Sequence, residues 1–337
     1  MLLASSAVSL LRLCLTGLVT LMPAAPPQAT DLAALRALVD NEHYKRARTG
    51  LEAWVSSHPS DAEGFYLLSK AREAFHDFDA ALTAAERATS LAPKNGAYRY
   101  QLAAVVGQQA SEAGVLRQFG LARRFKKEAE AALALDSSDI DARAALMEYH
   151  LRAPGIVGGD SKIAQQMLTE IQKLNPARGY LAEATYWRLT EKKDPTEPLF
   201  VKAAAAAPND FTARFALARS YTQSKKFDEA EKALRESIRL APDRSGPYSV
   251  LCYIYASSQR WKELDATLAD AERVNADDLM PYYQVAFTLN KTGTDLARAE
   301  RAAQKYLSIA PEPNAPKVDV AKKLLAEIQA KLKKKIA

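Results

Sequence analysis

Proline residues recur along this chain at a nearly constant interval, and that interval constrains the fold more than any other sequence feature. Pro59 and Pro93 are 34 residues apart, and so are Pro208 and Pro242. A fixed period of this length is typical of a stack of small structural units, each of which buries its apolar face against its neighbours. The sequence therefore predicts a repeat array rather than a domain with one central core.

Each unit contains two stretches with helical periodicity, joined by a short polar turn. In the unit that ends at Pro242, the first predicted helix covers 211–223 and the second begins at Phe227. Apolar and small residues recur three or four positions apart in both stretches, which indicates amphipathic helices. Asp210 precedes the first helix as a capping residue, and a proline marks the end of the second.

The pattern within the units resembles the tetratricopeptide repeat family, in which large and small residues alternate at fixed positions of a helix pair. Small residues such as Ala81, Ala230 and Cys252 stand where two helices should cross closely, and Phe65, Tyr248 and Trp261 stand where a large side chain should fill the gap to the next unit. The matching residues are Tyr44, Ala47, Phe65, Leu68, Ser69, Phe78, Ala81, Ala85, Ala88, Leu217, Ala218, Tyr221, Phe227, Ala230, Tyr248, Leu251, Cys252, Tyr255, Trp261, Ala271, Tyr282, Ala299 and Pro311.

This resemblance implies an all-α fold, a right-handed superhelical solenoid of antiparallel helix pairs. About eight units are expected, and two of them carry insertions. We expect the solenoid to cover 30–316, with a capping helix and a basic tail over 317–337. Because lysines in a last helical turn complement the helix dipole, the tail at Lys331, Lys333, Lys334 and Lys335 is first interpreted as a helix end.

The two insertions lie around 108–119 and 153–160. The second is glycine-rich, and we interpret it as a tight loop that delivers Asp160 or Ser161 as the cap of the next helix. An anion at that helix start is the alternative. The stretch 121–164 also resembles the periplasmic accessory components of tripartite transporters, a resemblance that implies a solute-binding protein as partner.

Residues 1–29 have the pattern of a secretory signal peptide. A ten-residue apolar core follows Arg12, and a stretch rich in proline and alanine precedes Thr30. An uncleaved N-terminal anchor is the alternative, although an arginine within the span is costly. A signal peptide places the mature chain in the periplasm or outside the cell, with membrane contact only through an uncleaved N-terminal segment.

Composition and motifs favour a binding protein over an enzyme. The net charge is +6 with both signs interspersed, so no basic field for nucleic acid is expected. The four histidines are scattered, and Cys252 occupies a small-residue core position, so we expect no catalytic residue, no metal and no cofactor. A carboxylate pocket in the irregular central units is the enzymatic alternative.

In the family, the fifth and ninth positions of each first helix point into the concave groove, and the resemblance assigns residues of this chain to those positions. We expect a partner-binding groove lined by Tyr66, Lys70, Tyr100, Phe215, Arg219, Tyr253, Tyr283 and Phe287. Exposed aromatic residues beside a cation are typical of binding hot spots. The alternative is that these rings pack against neighbouring helices.

The sequence thus predicts a non-catalytic protein–protein interaction scaffold of the bacterial cell envelope, which binds a peptide or protein partner in its concave groove. The alternative is a periplasmic accessory protein of a solute transporter, binding a transport partner or a small ligand.

Overall fold

The computed structural model describes residues 31–191, 196–309 and 316–336, and within them every regular element is helical. The predicted signal peptide and Pro311 lie outside the described residues. Seventeen α-helices occur in the described part of the chain, together with one 3-10 turn at Gly155–Val157. The helices are α1 Leu32–Asp40, α2 Tyr44–Ser57, α3 Ala62–Ala74, α4 Phe78–Leu91, α5 Gly96–Glu112, α6 Val115–Leu135, α7 Ile140–Arg152, α8 Ser161–Leu174, α9 Pro176–Thr190, α10 Thr196–Ala206, α11 Phe211–Gln223, α12 Phe227–Leu240, α13 Gly246–Ser257, α14 Trp261–Val274, α15 Met280–Thr292, α16 Leu296–Tyr306 and α17 Val318–Ile336.

The helices pack as successive antiparallel pairs, from α1–α2 to α15–α16. Helix α17 packs on α15 and α16, in the place that the first helix of another unit would take. It thereby covers the last unit, as predicted for the C-terminal helix. The all-helical solenoid of about eight units that the period predicted is confirmed.

Short polar residues begin most first helices. The Asp210 side chain accepts the backbone N–H of Ala213 at 2.7 Å, and Asn95 does the same for Tyr98 at 3.2 Å. Such caps satisfy amide groups that have no partner inside the first helical turn. Asp160 accepts from the Lys162 amide at 2.8 Å, so the predicted cap after the glycine-rich loop is also confirmed.

The turn inside the units repeats with the same 34-residue period. Glu42 and His76 both have a positive φ, as do Lys225 and Gln259, and Gly293 follows Gln259 at the same interval. A left-handed residue lets the chain reverse direction after the first helix. The corresponding position after His76 would be residue 110, which lies inside α5. The first insertion is therefore a helical extension that lengthens both α5 and α6.

The core is a series of apolar clusters strung along the helix pairs, each built around small residues. Ala81, Ala230 and Cys252 are completely buried, as predicted for residues at helix crossings. Because interiors are close-packed, such positions have no room for a longer side chain. The largest cluster joins α11 to α17, and a separate one holds α1 to α4 together. Burial raises the pKa of the Cys252 thiol.

The first helices form the inner layer of the curved stack. Consecutive first helices contact each other in the pairs α1–α3, α3–α5, α7–α9, α9–α11, α11–α13 and α13–α15. Each second helix instead packs mainly against the helices that precede and follow it in the chain. In a curved row of units, the layer whose members touch is the concave side, so side chains on the free face of the first helices line the groove.

The curvature brings the first helix pair back onto the loops on either side of α13–α14, and we call this contact the closure. The imidazole Nε2 of His43 lies 3.0 Å from the carbonyl oxygen of Asp243, some 200 residues away along the chain. The Lys45 ammonium pairs with Asp277 at 2.8 Å, and the Arg244 guanidinium donates to the Asp40 carbonyl at 2.9 Å. The first helix pair thus contacts the seventh, one pair before the C-terminal end of the stack.

A half-buried carboxyl belongs to this contact. Asp278 accepts hydrogen bonds from the Ser245 hydroxyl and from the Met280 amide, and desolvation raises its pKa above the ordinary value. His43 acts in the opposite direction, since its charge would lower that pKa. The folded chain therefore holds this proton to a higher pH than the unfolded chain does.

We expect Asp278→Asn to gain stability relative to the wild type as pH rises from about 4 towards 7. Below the ordinary value of about 3.9, both states of the wild type are protonated. Above it, the unfolded chain releases the proton first, so the stability of the wild type falls until the folded carboxyl also ionises. Urea midpoints at pH 4.5, 6.0 and 7.5 measure the difference. The exposed Asp243→Asn serves as control, and a constant difference for Asp278→Asn would contradict the prediction.

Candidate functional site

The concave face of α11, α13 and α15 carries a cavity of about 530 Å³, which we call the groove cavity. Phe215 and Arg219 from α11 and Tyr253 from α13 line it together, so the structure unites three of the residues predicted from the sequence. Its other lining residues are Thr222, Gln223, Ser249, Val250, Met280 and Gln284.

The lining residues reach one cavity because they share a face on three adjacent first helices. Phe215 and Arg219 are four positions apart and thus lie one turn apart on the same side of α11. The Phe215 ring stacks on Phe211 with centroids 5.5 Å apart, and a Cβ at Gly246 would lie 3.3 Å from that ring. Gly246 therefore leaves space for the aromatic ring at the wall of the cavity.

Arg244 joins the groove cavity to the closure. Its guanidinium lies 4.6 Å from the Phe211 ring centroid, in cation–π geometry. The same group donates to the Asp40 carbonyl and lies 3.8 Å from the Glu42 carboxylate. Arg244 thus packs against the Phe211 ring of the stacked pair Phe211–Phe215 and also binds the first helix pair.

Two other predicted residues form an aromatic pair on α15. The Tyr283 and Phe287 rings stack with centroids 6.3 Å apart, and Tyr283 also contacts the Tyr306 ring at 5.3 Å. Phe287 is 44% exposed, which is high for a phenylalanine, whereas burial raises the pKa of the Tyr283 hydroxyl. Phe287 is the member of this pair that offers more apolar surface to a partner.

The predicted residues of the first units lie elsewhere along the groove. Lys70 lies over the Tyr66 ring at 5.6 Å, and Tyr66 stacks on Tyr98 at 4.8 Å. Tyr100 instead packs into the cluster of Ala103, Ala129 and Leu146, and burial raises the pKa of its hydroxyl. The alternative of packing against neighbouring helices thus describes Tyr100 better than the groove does.

Several lining residues escaped the sequence prediction. Met280 and Gln284 have no pattern of their own, and only their register with Phe215 on adjacent helices identifies them. The sequence did not predict the contact between Phe211 and Arg244 either, because the closure depends on curvature accumulated over many units.

The described residues contain no cluster of three or more histidine, cysteine, aspartate or glutamate side chains suited to hold a metal ion. No helix among residues 31–191, 196–309 and 316–336 is both long and apolar enough to cross a bilayer. The groove cavity offers aromatic rings, amides and a guanidinium, which are groups for binding rather than for proton transfer.

Comparisons with known proteins show what part of this chain resembles. Residues 196–251, which cover α10 to the first half of α13, match the tetratricopeptide repeat family model. This match confirms the predicted resemblance for that stretch, and the described residues form a solenoid of helix pairs. Repeats of this family support a role as a protein–protein interaction scaffold.

Two solved structures align with most of the chain at low identity. Yeast Tom70 aligns at 12% identity over 89% of this chain and 80% of its own, with a TM-score of 0.46. A tetratricopeptide repeat protein from Parabacteroides merdae aligns at 14% identity over 88% of this chain and 96% of its own, with a TM-score of 0.41. No curated protein matches the chain.

Proposed function

We propose that this chain is a scaffold of the bacterial cell envelope that binds an extended peptide or a helix of a partner protein in its concave groove. The observation that supports this most directly is the meeting of Phe215, Arg219 and Tyr253 in the groove cavity. Aromatic rings around a guanidinium are the composition of interface hot spots. The cavity suits an apolar side chain of the partner, with a neighbouring carboxylate against Arg219.

The experiment is a capture of partners from an envelope extract with the tagged chain, followed by measurement of the affinity for the protein that it retains. Phe215→Ala combined with Tyr253→Ala removes both rings from the groove cavity. We expect binding to weaken by about 30-fold or more, since hot-spot truncations cost about 2 kcal/mol or more each. Thermal unfolding of the variant checks that the fold is kept.

The matched control removes large apolar side chains outside the groove. Leu116 is 94% exposed and Ile156 is 75% exposed, so Leu116→Ala with Ile156→Ala deletes comparable apolar surface at another place. We expect this control to bind as the wild type does. If the control variant loses the partner and the groove variant keeps it, the interface lies around Leu116 and Ile156 and not in the groove.

The location in the envelope is supported by the sequence of residues 1–29 alone. If that segment is a cleaved signal, the intact mass of the protein isolated from cells corresponds to a chain that begins near Thr30. A C-terminal reporter that is active only outside the cytoplasm should then be active. A cytoplasmic reporter signal with an unprocessed mass would contradict this part of the proposal.

A further inference from the structure

The two insertions are far apart in the sequence, yet they build one cavity. It has a volume of about 560 Å³ and lies between the extended hairpin α5–α6, helix α7 and the loop 153–160. We call it the insertion cavity. Its lining residues are Gly107, Ala110, Ser111, Gln118, Phe119, Ala122, Phe125, Ala145, Glu148, Tyr149, Arg152, Ala153, Pro154 and Val157. Both insertions into the repeat pattern thus contribute lining residues to the same cavity.

Small residues leave this space open. Gly107, Ala110, Ala122 and Ala145 occupy four positions of its wall, where longer side chains would fill it. A Cβ at Gly107 would already lie 3.0 Å from the Phe125 ring. The first insertion makes this unit longer than its neighbours, because α5 with 17 residues and α6 with 21 residues both extend beyond the usual helix length of the repeat. The cavity is therefore a consequence of the insertions and lies apart from the groove cavity on α11 to α15.

The loop 153–160 forms a fixed wall of the insertion cavity. The Tyr149 hydroxyl donates to the Val157 carbonyl and thereby ties helix α7 to the loop. A Cβ at Gly159 would lie 1.8 Å from the Ala153 carbonyl oxygen, so the loop closes on itself tightly at a glycine. The interior surface then consists mainly of the Phe119, Phe125 and Tyr149 rings and aliphatic groups.

The mouth of the cavity is polar and carries an available cation. The Arg152 guanidinium lies 3.5 Å from Glu148, at the limit of a hydrogen bond, and the two side chains are 60% and 42% exposed. Exposed pairs of this kind are weak and exchange readily. Helix α6 carries five basic residues against two acidic ones; none of the five lines the cavity, and Arg124 and Lys126 pair with Glu86 and Glu130, so Arg152 is the cation that faces the space.

We propose that the insertion cavity binds a single alkyl chain with a carboxylate head, of the kind found in medium-chain fatty acids. The chain lies among Phe119, Phe125 and Tyr149, and the head lies at Arg152. The volume is within the range of about 300–1,000 Å³ that small-ligand sites occupy. This inference is independent of the groove and of the partner proposed for it.

The test is calorimetric titration of the purified protein with octanoate, decanoate and dodecanoate. If the chain is buried, each added methylene should tighten binding by roughly fourfold. Dodecanoate should then bind about 200-fold more tightly than octanoate. Affinities that do not depend on chain length, or no binding of dodecanoate, would overturn the proposal.

Two variants fill the insertion cavity, and one control variant fills the groove cavity. Ala122→Trp should abolish dodecanoate binding, and Ala145→Leu should weaken it at least tenfold, which keeps the test valid if the larger substitution impairs folding. Ser249→Trp fills the groove cavity and should bind dodecanoate as the wild type does. Dodecanoate binding that survives both filling variants, or that is lost in Ser249→Trp alone, would overturn the assignment to this cavity.

The contact between the carboxylate head of the ligand and Arg152 is tested separately with the variant Arg152→Gln. This variant should weaken dodecanoate binding by about tenfold and leave dodecanol binding unchanged, because the alcohol carries no charge. An equal effect on both ligands would overturn the role of Arg152 in binding a carboxylate.

Discussion

The first helix pair is expected to detach from the loops around α13–α14 when His43 is replaced by glutamate. His43 is only 6% exposed and its Nε2 lies at the Asp243 carbonyl, while Arg46 contacts the other ring nitrogen. A glutamate cannot donate to that carbonyl, and it adds a negative charge near the half-buried Asp278. An unpaired buried acceptor costs about 1–3 kcal/mol, or roughly 5- to 150-fold in the closed population.

The ion pairs at the rim of the closure cannot offset this loss. Lys45 and Arg46 both face Asp277, and all three side chains are partly exposed. Such pairs contribute about 0–1 kcal/mol each in water. The buried His43 contact is therefore the part of the closure on which a single substitution has the largest effect.

Pulsed electron paramagnetic resonance measures the opening directly. Spin labels at Ala53→Cys and Ala266→Cys, both exposed on second helices, report the distance between the two ends in a Cys14→Ser background. We expect a second, longer distance in His43→Glu. The control His43→Gln keeps an N–H donor and should give the wild-type distance. A single unchanged distance in His43→Glu would show that His43 does not hold the closure.

Opening of the closure should also change the groove cavity, because Arg244 contacts both the first helix pair and the Phe211 ring. Its guanidinium lies over Phe211 and donates to the Asp40 carbonyl, so release of the first helix pair frees the group behind the Phe211–Phe215 stack. Partner affinity should therefore fall in His43→Glu although no residue of the groove cavity has changed.

Features that depend on neighbouring residues were predictable from the sequence. The bounds 211–223 of α11 and the start of α12 at Phe227 follow from a local period and a cap, and the structure has them at those residues. The burial of Ala230 and Cys252 follows from the same repeat. Phe215, Arg219 and Tyr253 meet because register on adjacent helices is fixed once the period is known.

Features that depend on the sum of many units were not predictable. The contact of His43 with Asp243 arises from curvature added over the whole array, and no spacing rule connects two residues 200 positions apart. The sequence suggested a pocket in the irregular central units only as a carboxylate site, whereas the walls of the insertion cavity carry the small residues Gly107 and Ala122 and several aromatic rings. Tyr100 was assigned to the groove by position, and its half-buried ring also packs against the cluster of Ala103, Ala129 and Leu146, which no local spacing indicated.

The second large effect concerns the core of the C-terminal units. Leu234 on α12 is completely buried in the cluster that joins α11 to α17. Leu234→Ala removes three heavy atoms and leaves a cavity, which costs about 2–5 kcal/mol. The matched control is Leu174→Ala at the end of α8, where the side chain is 45% exposed, and we expect a change of less than about 1 kcal/mol there.

Urea unfolding followed by tryptophan fluorescence at each end of the stack shows which units lose stability in Leu234→Ala. Trp261 packs against the C-terminal cluster and Trp54 against the N-terminal one, so variants that keep only one of these two and also lack Trp187 report each end separately. Because each repeat contacts its neighbours, stability is approximately a sum of local terms. We therefore expect the Trp261 transition to shift by the full amount and the Trp54 transition by less. Equal shifts would mean that the closure makes the two ends unfold as one unit, and a combined His43→Glu and Leu234→Ala variant would then separate them.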